Sequence, residues 1–225
     1  MLKSAIKNIE QEGGSDARVI FLGDYIDRGP DSRGVIEFLM NGLAVKKNWV
    51  CLKGNHDQMF ALFMEDCQAQ MTVRYHWLDD RLGGKETLAS YGVEASNKDH
   101  KQDVYMRAVT TVPAVHIDFL ESLPHSHEEN GLLFVHAGIR PGVPLEKQDP
   151  HDLLWIRFEF LDDKRRHPLL VVHGHTPVEK AKHYGNHINL DTGAGYGHSL
   201  TTAVFEGTQC WILSDAGRTP LVPPA

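Results

Sequence analysis

Gly23-Asp24-Tyr25-Ile26-Asp27-Arg28-Gly29 follows directly on the apolar run Val19-Ile20-Phe21-Leu22. A short apolar run bounded by turn residues reads as a buried strand. This strand therefore ends in two carboxylates and a guanidinium with a glycine on either side. Three further apolar runs end in polar clusters. Val50-Cys51-Leu52 leads into Gly54-Asn55-His56-Asp57, Leu132 to Val135 into His136-Ala137-Gly138, and Leu169 to Val172 into His173-Gly174-His175-Thr176. In open α/β sheets, ligands bind at the carboxyl ends of strands. Four strands delivering Asp24, Asn55, His136 and His175 to such an edge predict a metal site, because hard oxygen and imidazole donors suit a divalent cation.

Taken singly, each of these residues has a plainer reading. Asp24 and Asn55 would cap turns or helices, and a lone His is a hydrogen-bonded polar group. Their joint occurrence at four strand ends favours the metal. His56, next to Asn55, is placed to protonate a leaving oxygen. Asp27, three residues after Asp24, is placed to orient that ring. The alternative makes both of them turn residues in surface ion pairs. Arg28 and Arg157 are candidate forks for phosphate oxygens; for Arg157, a surface position on a short helix is nearly as good a reading. His173 is either a ligand or a partner of one. Asp191-Thr192-Gly193-Ala194 reads as a tight turn.

The rest of the chain sets bounds. With 225 residues it is expected to form one domain over 1–215, with a cap of short helices over roughly 75–118 and a loose, Pro-rich tail over 216–225. A net charge of −7 argues against a broad electrostatic grip on nucleic acid or anionic membrane. Cys51, Cys67 and Cys210 are scattered and odd in number, which points to reduced thiols and a cytoplasmic setting. No apolar run is long enough to span a bilayer. Apolar spacing predicts a helix from Leu2 stopped by Gly13-Gly14, another opened by Pro30-Asp31-Ser32, and a third over 58–70. Asn130-Gly131 predicts a hairpin between His125–Glu128 and Leu132–Val135. Further strands are expected at 187–190, 200–205 and 209–213.

Gly23-Asp24-Tyr25-Ile26-Asp27-Arg28-Gly29 with Gly54-Asn55-His56-Asp57, then His136-Ala137-Gly138 and His173-Gly174-His175-Thr176, resembles the phosphoprotein phosphatase family of calcineurin-like metallophosphoesterases. That family includes bacterial and phage Ser/Thr phosphatases and symmetrical diadenosine tetraphosphatases. The resemblance runs from the first helix to about Phe205. It implies an α/β (α+β) sandwich of two mixed β-sheets flanked by helices. It also implies that Asp24 bridges two metals and that Asn55, His136 and His175 hold one of them. His56 would be the general acid paired with Asp27, Arg28 and Arg157 would bind phosphate, and a hydroxide between the metals would attack phosphorus in line. Manganese fits such ligands, as do iron and zinc. Asp27 before Arg28 is similar to the protein-phosphatase branch.

The chain departs from the family at its start. The family opens with a strand ending in Gly-Asp-X-His-Gly, whose Asp and His hold the other metal, and Met1 stands about where that motif should end. The first strand is thus expected to be missing and one metal site incomplete. The expectation favours a longer native chain over a one-metal remnant, since every downstream catalytic position is present. Three functions remain in play: a metal-dependent phosphomonoesterase of the Ser/Thr protein phosphatase type, acting on a phosphorylated protein or a small phosphate ester; a dinucleoside polyphosphate hydrolase; and a non-catalytic phosphate-binding module.

Overall fold

Val19–Phe21 (β1) and Trp49–Cys51 (β2) pair in parallel, with Ile20 opposite Val50. Parallel neighbours cannot be joined by a tight turn, and the connection between them carries helix α2 (Ser32–Ala44), capped by the Asp31 carboxylate, which accepts from Gly34 N–H at 2.9 Å. The computed structural model describes residues 1–69 and 75–224. By its internal contacts the chain divides into two compact units. One comprises Met1–Leu22, Asn48–Leu52 and Pro124–Ala225, and the other Gly23–Lys47 and Lys53–Leu123.

Among the described residues, the first unit holds all the sheets. Besides α1 (Leu2–Gly13), β1 and β2 it contains a five-stranded sheet in the order β3-β4-β5-β7-β6, formed by Ser126–Glu129 (β3), Leu132–Val135 (β4), Leu170–His173 (β5), Lys182–His183 (β6) and His187–Asn189 (β7). β4, β5 and β7 run parallel, so the residues that follow them leave the sheet at one edge. The predicted hairpin is present: Asn130 and Gly131 take φ of 52° and 82°, the left-handed pair that a two-residue turn requires. β4 explains its own unbroken apolar sequence. Leu132 and Phe134 join a core with Leu52, Val172, Ile20 and Val50, while Leu133 and Val135 join another with Ile156, Phe160 and Val171. A strand covered on both faces has no side to give to water. The helices α7 (Pro150–Trp155) and α8 (Phe158–Leu161) lie in the connection from β4 to β5.

The expected α/β fold of helices and several sheets is present, with two details to correct. Among the described residues the sheets number three rather than two mixed ones, since Thr202–Glu206 (β8), Gln209–Ser214 (β9) and Gly217–Leu221 (β10) form a separate antiparallel meander. Strands joined by tight turns can pair only antiparallel, so only the five-stranded sheet is mixed. The C-terminal stretch is also not loose: Gly217–Leu221 pairs along β9 from Ser214 to Cys210. Its sequence lacks apolar alternation, and Pro220 is tolerated because β10 is an edge strand. Arg218 anchors it, donating to Glu12 at 2.7 Å and to Glu206. Ala225 lies outside the described residues.

The second unit is helical: α2, α3 (Asn55–Glu65), α4 (Gly84–Ser90), α5 (Lys101–Thr111) and α6 (Ala114–Ser122). α3 packs on α5 and α6, and α2 on α4 and α6. Phe60, Phe63, Trp77, Ile36, Leu39, Met59, Leu88 and Leu120 are among its largest fully buried side chains. The helix expected over 58–70 is displaced. It begins at Asn55, because the Asp57 carboxylate accepts from Gly54 N–H at 2.8 Å and caps it there, and it ends at Glu65; Gln70 lies outside the described residues. The short helices expected over 75–118 are α4, α5 and the start of α6.

Candidate functional site

In the helical unit, the loop after β1 and the N-terminus of α3 are locked together. A Cβ on Gly23, whose φ is 95°, would stand 2.5 Å from Gly54 N, and one on Gly54 would stand 2.2 Å from Asp24 N and Oδ1. Only glycines allow this approach. The Asp57 carboxylate, fully buried, then accepts three backbone N–H groups: Gly54 at 2.8 Å, Asp24 at 2.9 Å and Tyr25 at 3.0 Å. Asp24 Oδ1 accepts from His56 N–H at 3.0 Å, placing its negative charge at the start of α3, where the helix dipole favours an anion. Asn55, buried, is the first residue of the same helix.

His56 and Asp27 form a buried pair, Nδ1 against Oδ2. Burial opposes the imidazolium, but the carboxylates of Asp24 and Asp27 outweigh it, and the His56 pKa is raised. Asp57 is pushed up to about 8, first by burial and then by Asp24, against the pull of its three N–H donors. Asp27 is held in turn by Trp77 Nε1–H at 3.0 Å and by the Thr87 hydroxyl at 2.7 Å. Arg28 donates through Nη2 to the Arg81 carbonyl at 3.3 Å.

In the sheet unit, His136 follows β4 directly and its Nδ1–H donates to the Leu22 carbonyl at 2.7 Å. That fixes the tautomer and puts the lone pair on Nε2, as second partners do for metal-binding imidazoles. The His136 and His175 rings lie 5.1 Å apart, edge to face. His175 Nε2 accepts from Nε of the exposed Arg157 at 3.2 Å, and Trp155 stands edge-on to His175 at 6.2 Å. Among the described residues, His173 joins this group by no hydrogen bond of its side chain. Its Nδ1–H donates to the Gly174 carbonyl at 3.1 Å, and its ring packs on Phe160 and His187. Asp191 closes a turn, accepting from Gly193 N–H at 2.8 Å.

Backbone conformation marks both groups. Asp24, Asp27, Arg28 and His175 have φ of 58°, 71°, 60° and 64°. L-residues reach that region at a cost of order 1 kcal/mol or more and stay only where their surroundings over-determine them. The expected donors thus fall into two sets: Asp24 and Asn55 with His56, Asp27 and Asp57, and His136 and His175 with Arg157. Among the described residues no three His, Cys, Asp or Glu side chains form a group able to hold a metal ion. Asp24 is turned to the His56 amide and His175 to Arg157. In type, carboxylate, amide oxygen and imidazole, the four donors do suit a hard or borderline divalent cation.

Sequence reading missed Asp57, Trp77 and Thr87. Asp57 carried a local signal, an acidic residue three positions after a glycine N-cap. Trp77 and Thr87 carried none, standing 50 and 60 residues from Asp27.

The model of the family described as calcineurin-like phosphoesterase matches residues 2–200. The chain is 27% identical over 224 residues to the bis(5'-nucleosyl)-tetraphosphatase PrpE [asymmetrical] of Bacillus thuringiensis (strain Al Hakam), covering 92% of this chain and 82% of that one. To the protein of that name from Oceanobacillus iheyensis it is 25% identical, covering 96% and 84%. Its fold is similar to that of a cold-active protein-tyrosine phosphatase from a psychrophilic Shewanella, with a TM-score of 0.60 at 16% identity over 98% of this chain and 76% of the other. A solved candidate diadenosine tetraphosphatase gives a TM-score of 0.59 at 16% identity over 98% and 89%.

Proposed function

Because the chain belongs to the calcineurin-like phosphoesterase family, we propose that this metallophosphoesterase hydrolyses phosphate esters with His56 as general acid. The observation that carries the reading is the buried His56–Asp27 pair at the start of α3, beside the carboxylate of Asp24. Such a pair has one evident use in phosphoryl transfer, which is to deliver a proton to the departing oxygen. Asp24, Asn55, His136 and His175 are proposed as metal ligands, on their donor chemistry and their places just after β1, β2, β4 and β5. The cation, manganese in the first instance, would supply Lewis acidity and an activated water. Arg157 and Arg28 are proposed to neutralise phosphate oxygens. The exposure of the Arg157 guanidinium beside His175 supports the former.

Two substrate classes fit this chemistry. The first is a phosphomonoester on a protein or small molecule. The second is a dinucleoside tetraphosphate, supported by the names of relatives that match over nine-tenths of the chain; those names specify asymmetrical cleavage rather than the symmetrical kind. Rates on p-nitrophenyl phosphate, a phosphoserine peptide and diadenosine tetraphosphate, measured with manganese and after chelation, separate them. His56→Asn should lower kcat by about 10²- to 10⁴-fold on the preferred substrate. A folded, manganese-loaded protein that releases neither phosphate nor nucleotide from all three would sink the proposal.

A further inference from the structure

Asp27 is more tightly held than its partner role alone requires. Its Oδ2 meets both His56 Nδ1 and the indole Nε1–H of Trp77, the latter at 3.0 Å. Its Oδ1 accepts the Thr87 hydroxyl at 2.7 Å, and its own backbone N–H donates back to Thr87 Oγ1 at 2.9 Å and to Ser32 Oγ at 3.2 Å. The Thr87 hydroxyl has one proton, spent on Asp27 Oδ1, so the 3.1 Å contact between the two hydroxyls is a donation from Ser32. The carboxylate therefore cannot turn about its Cβ–Cγ bond without breaking a buried hydrogen bond, and the left-handed backbone of Asp27 is pinned by the same threonine.

The two donors are themselves fixed. Trp77 is fully buried and stacks on Phe60 with ring centroids 4.9 Å apart at an interplanar angle of 23°. Phe63 packs on it at 4.9 Å. Gly84 makes room for the indole, since a Cβ there would lie 2.6 Å from its ring atoms. Thr87 is fully buried in α4.

We propose that Trp77 and Thr87 are positioning residues: together they set the plane of the Asp27 carboxylate, and through it the direction in which His56 presents its other nitrogen to a leaving oxygen. The inference rests on the reading of His56 as general acid. A positioning defect of this kind has a signature that a general loss of structure lacks. Protonation matters little when the leaving group is a stable anion and much when it is not.

The test is a leaving-group series on the full chain with manganese, comparing 2,4-dinitrophenyl phosphate with phenyl phosphate. Thr87→Val removes the hydroxyl at constant volume, and Trp77→Phe removes the N–H while keeping a ring against Phe60. Each should lower kcat on phenyl phosphate by about 10- to 100-fold, the usual size for outer partners of a functional imidazole, with KM and the dinitrophenyl rate nearly unchanged. Thr87→Ser should retain the wild-type profile. Added to His56→Asn, either substitution should cost nothing further, because residues that act as a unit are not additive. Equal losses on both substrates, or folded Thr87→Val with the wild-type profile, would overturn the inference. If His56→Asn itself leaves the leaving-group dependence unchanged, or the wild type is inert, the functional reading fails and this inference with it. If only His56→Asn alters the dependence, the inference alone fails.

Discussion

The two sets of proposed site residues are stabilised by different means. In the helical unit Asp24 and Asp27 are carboxylates that accept from the His56 amide, the Trp77 indole and the Thr87 hydroxyl, while their backbone N–H groups donate to Asp57, Thr87 and Ser32. In the sheet unit the donors are imidazoles, held by one carbonyl, one guanidinium and the packing of rings. Charge-assisted hydrogen bonds are strong and directional, which suits a group that must keep an acid aligned. Imidazoles at the ends of parallel strands get their direction from the sheet itself.

That contrast can be broken by substitution. Asp57→Ala should be the most damaging single change, since it strips the acceptor from three backbone N–H groups at Gly54, Asp24 and Tyr25. Each buried donor left unsatisfied costs about 1–3 kcal/mol, so urea unfolding should show a loss of roughly 3 kcal/mol or more. A loss under ~1 kcal/mol would mean that water replaces the carboxylate and that the helical set is not self-supporting.

Protons sharpen the comparison, because His56 in the helical unit responds to them with the opposite sign from His173 and His187 in the sheet unit. Burial first, and neighbouring imidazoles second, with Lys164 adding to them at His187, hold His173 down at about 3 and His187 at about 4. Both stay neutral in the fold while the unfolded chain takes up protons below about pH 6.5. Their contribution is therefore complete above that pH and is lost as pH falls toward 4 and then 3, at up to about 1.4 kcal/mol per unit for the fully buried His173. His56, raised above its ordinary value, contributes below about pH 6.5 and loses that contribution as pH rises through its folded-state value. Imidazole proton titrations followed by NMR should show His173 and His187 silent between pH 7 and 5 while His56 titrates late. Titration of His173 near pH 6 would show that its ring is hydrated. The smallest effect is expected at Arg218→Ala, which removes two exposed ion pairs from β10. It should cost about 0–1 kcal/mol in thermal unfolding, leaving the strand's backbone ladder to hold the C-terminal stretch in place.

Much of the fold was legible because burial leaves a periodic trace. β1, β2, β4, β5 and the Asn130-Gly131 hairpin follow from apolar runs and turn chemistry. β10 did not, because an edge strand needs partners more than apolar residues, and its partner β9 had to be in place first. The start of α3 at Asn55 was misplaced for a related reason: the carboxylate that caps it, Asp57, looked like one more loop acid. The pairing of His56 with Asp27 was expected from residue type and spacing, and the two side chains do meet.

By itself, then, the sequence determined which residue types follow which strands, since hydrophobic runs and glycine turns are local and can be read off the chain. Tertiary structure alone decided what those residues lean on. Trp77 and Thr87 reach Asp27 across 50 and 60 residues, and Leu22 offers its carbonyl to His136 across 114. A hydrogen bond depends on where two atoms end up in space, and a sequence written in one dimension keeps no trace of that distance.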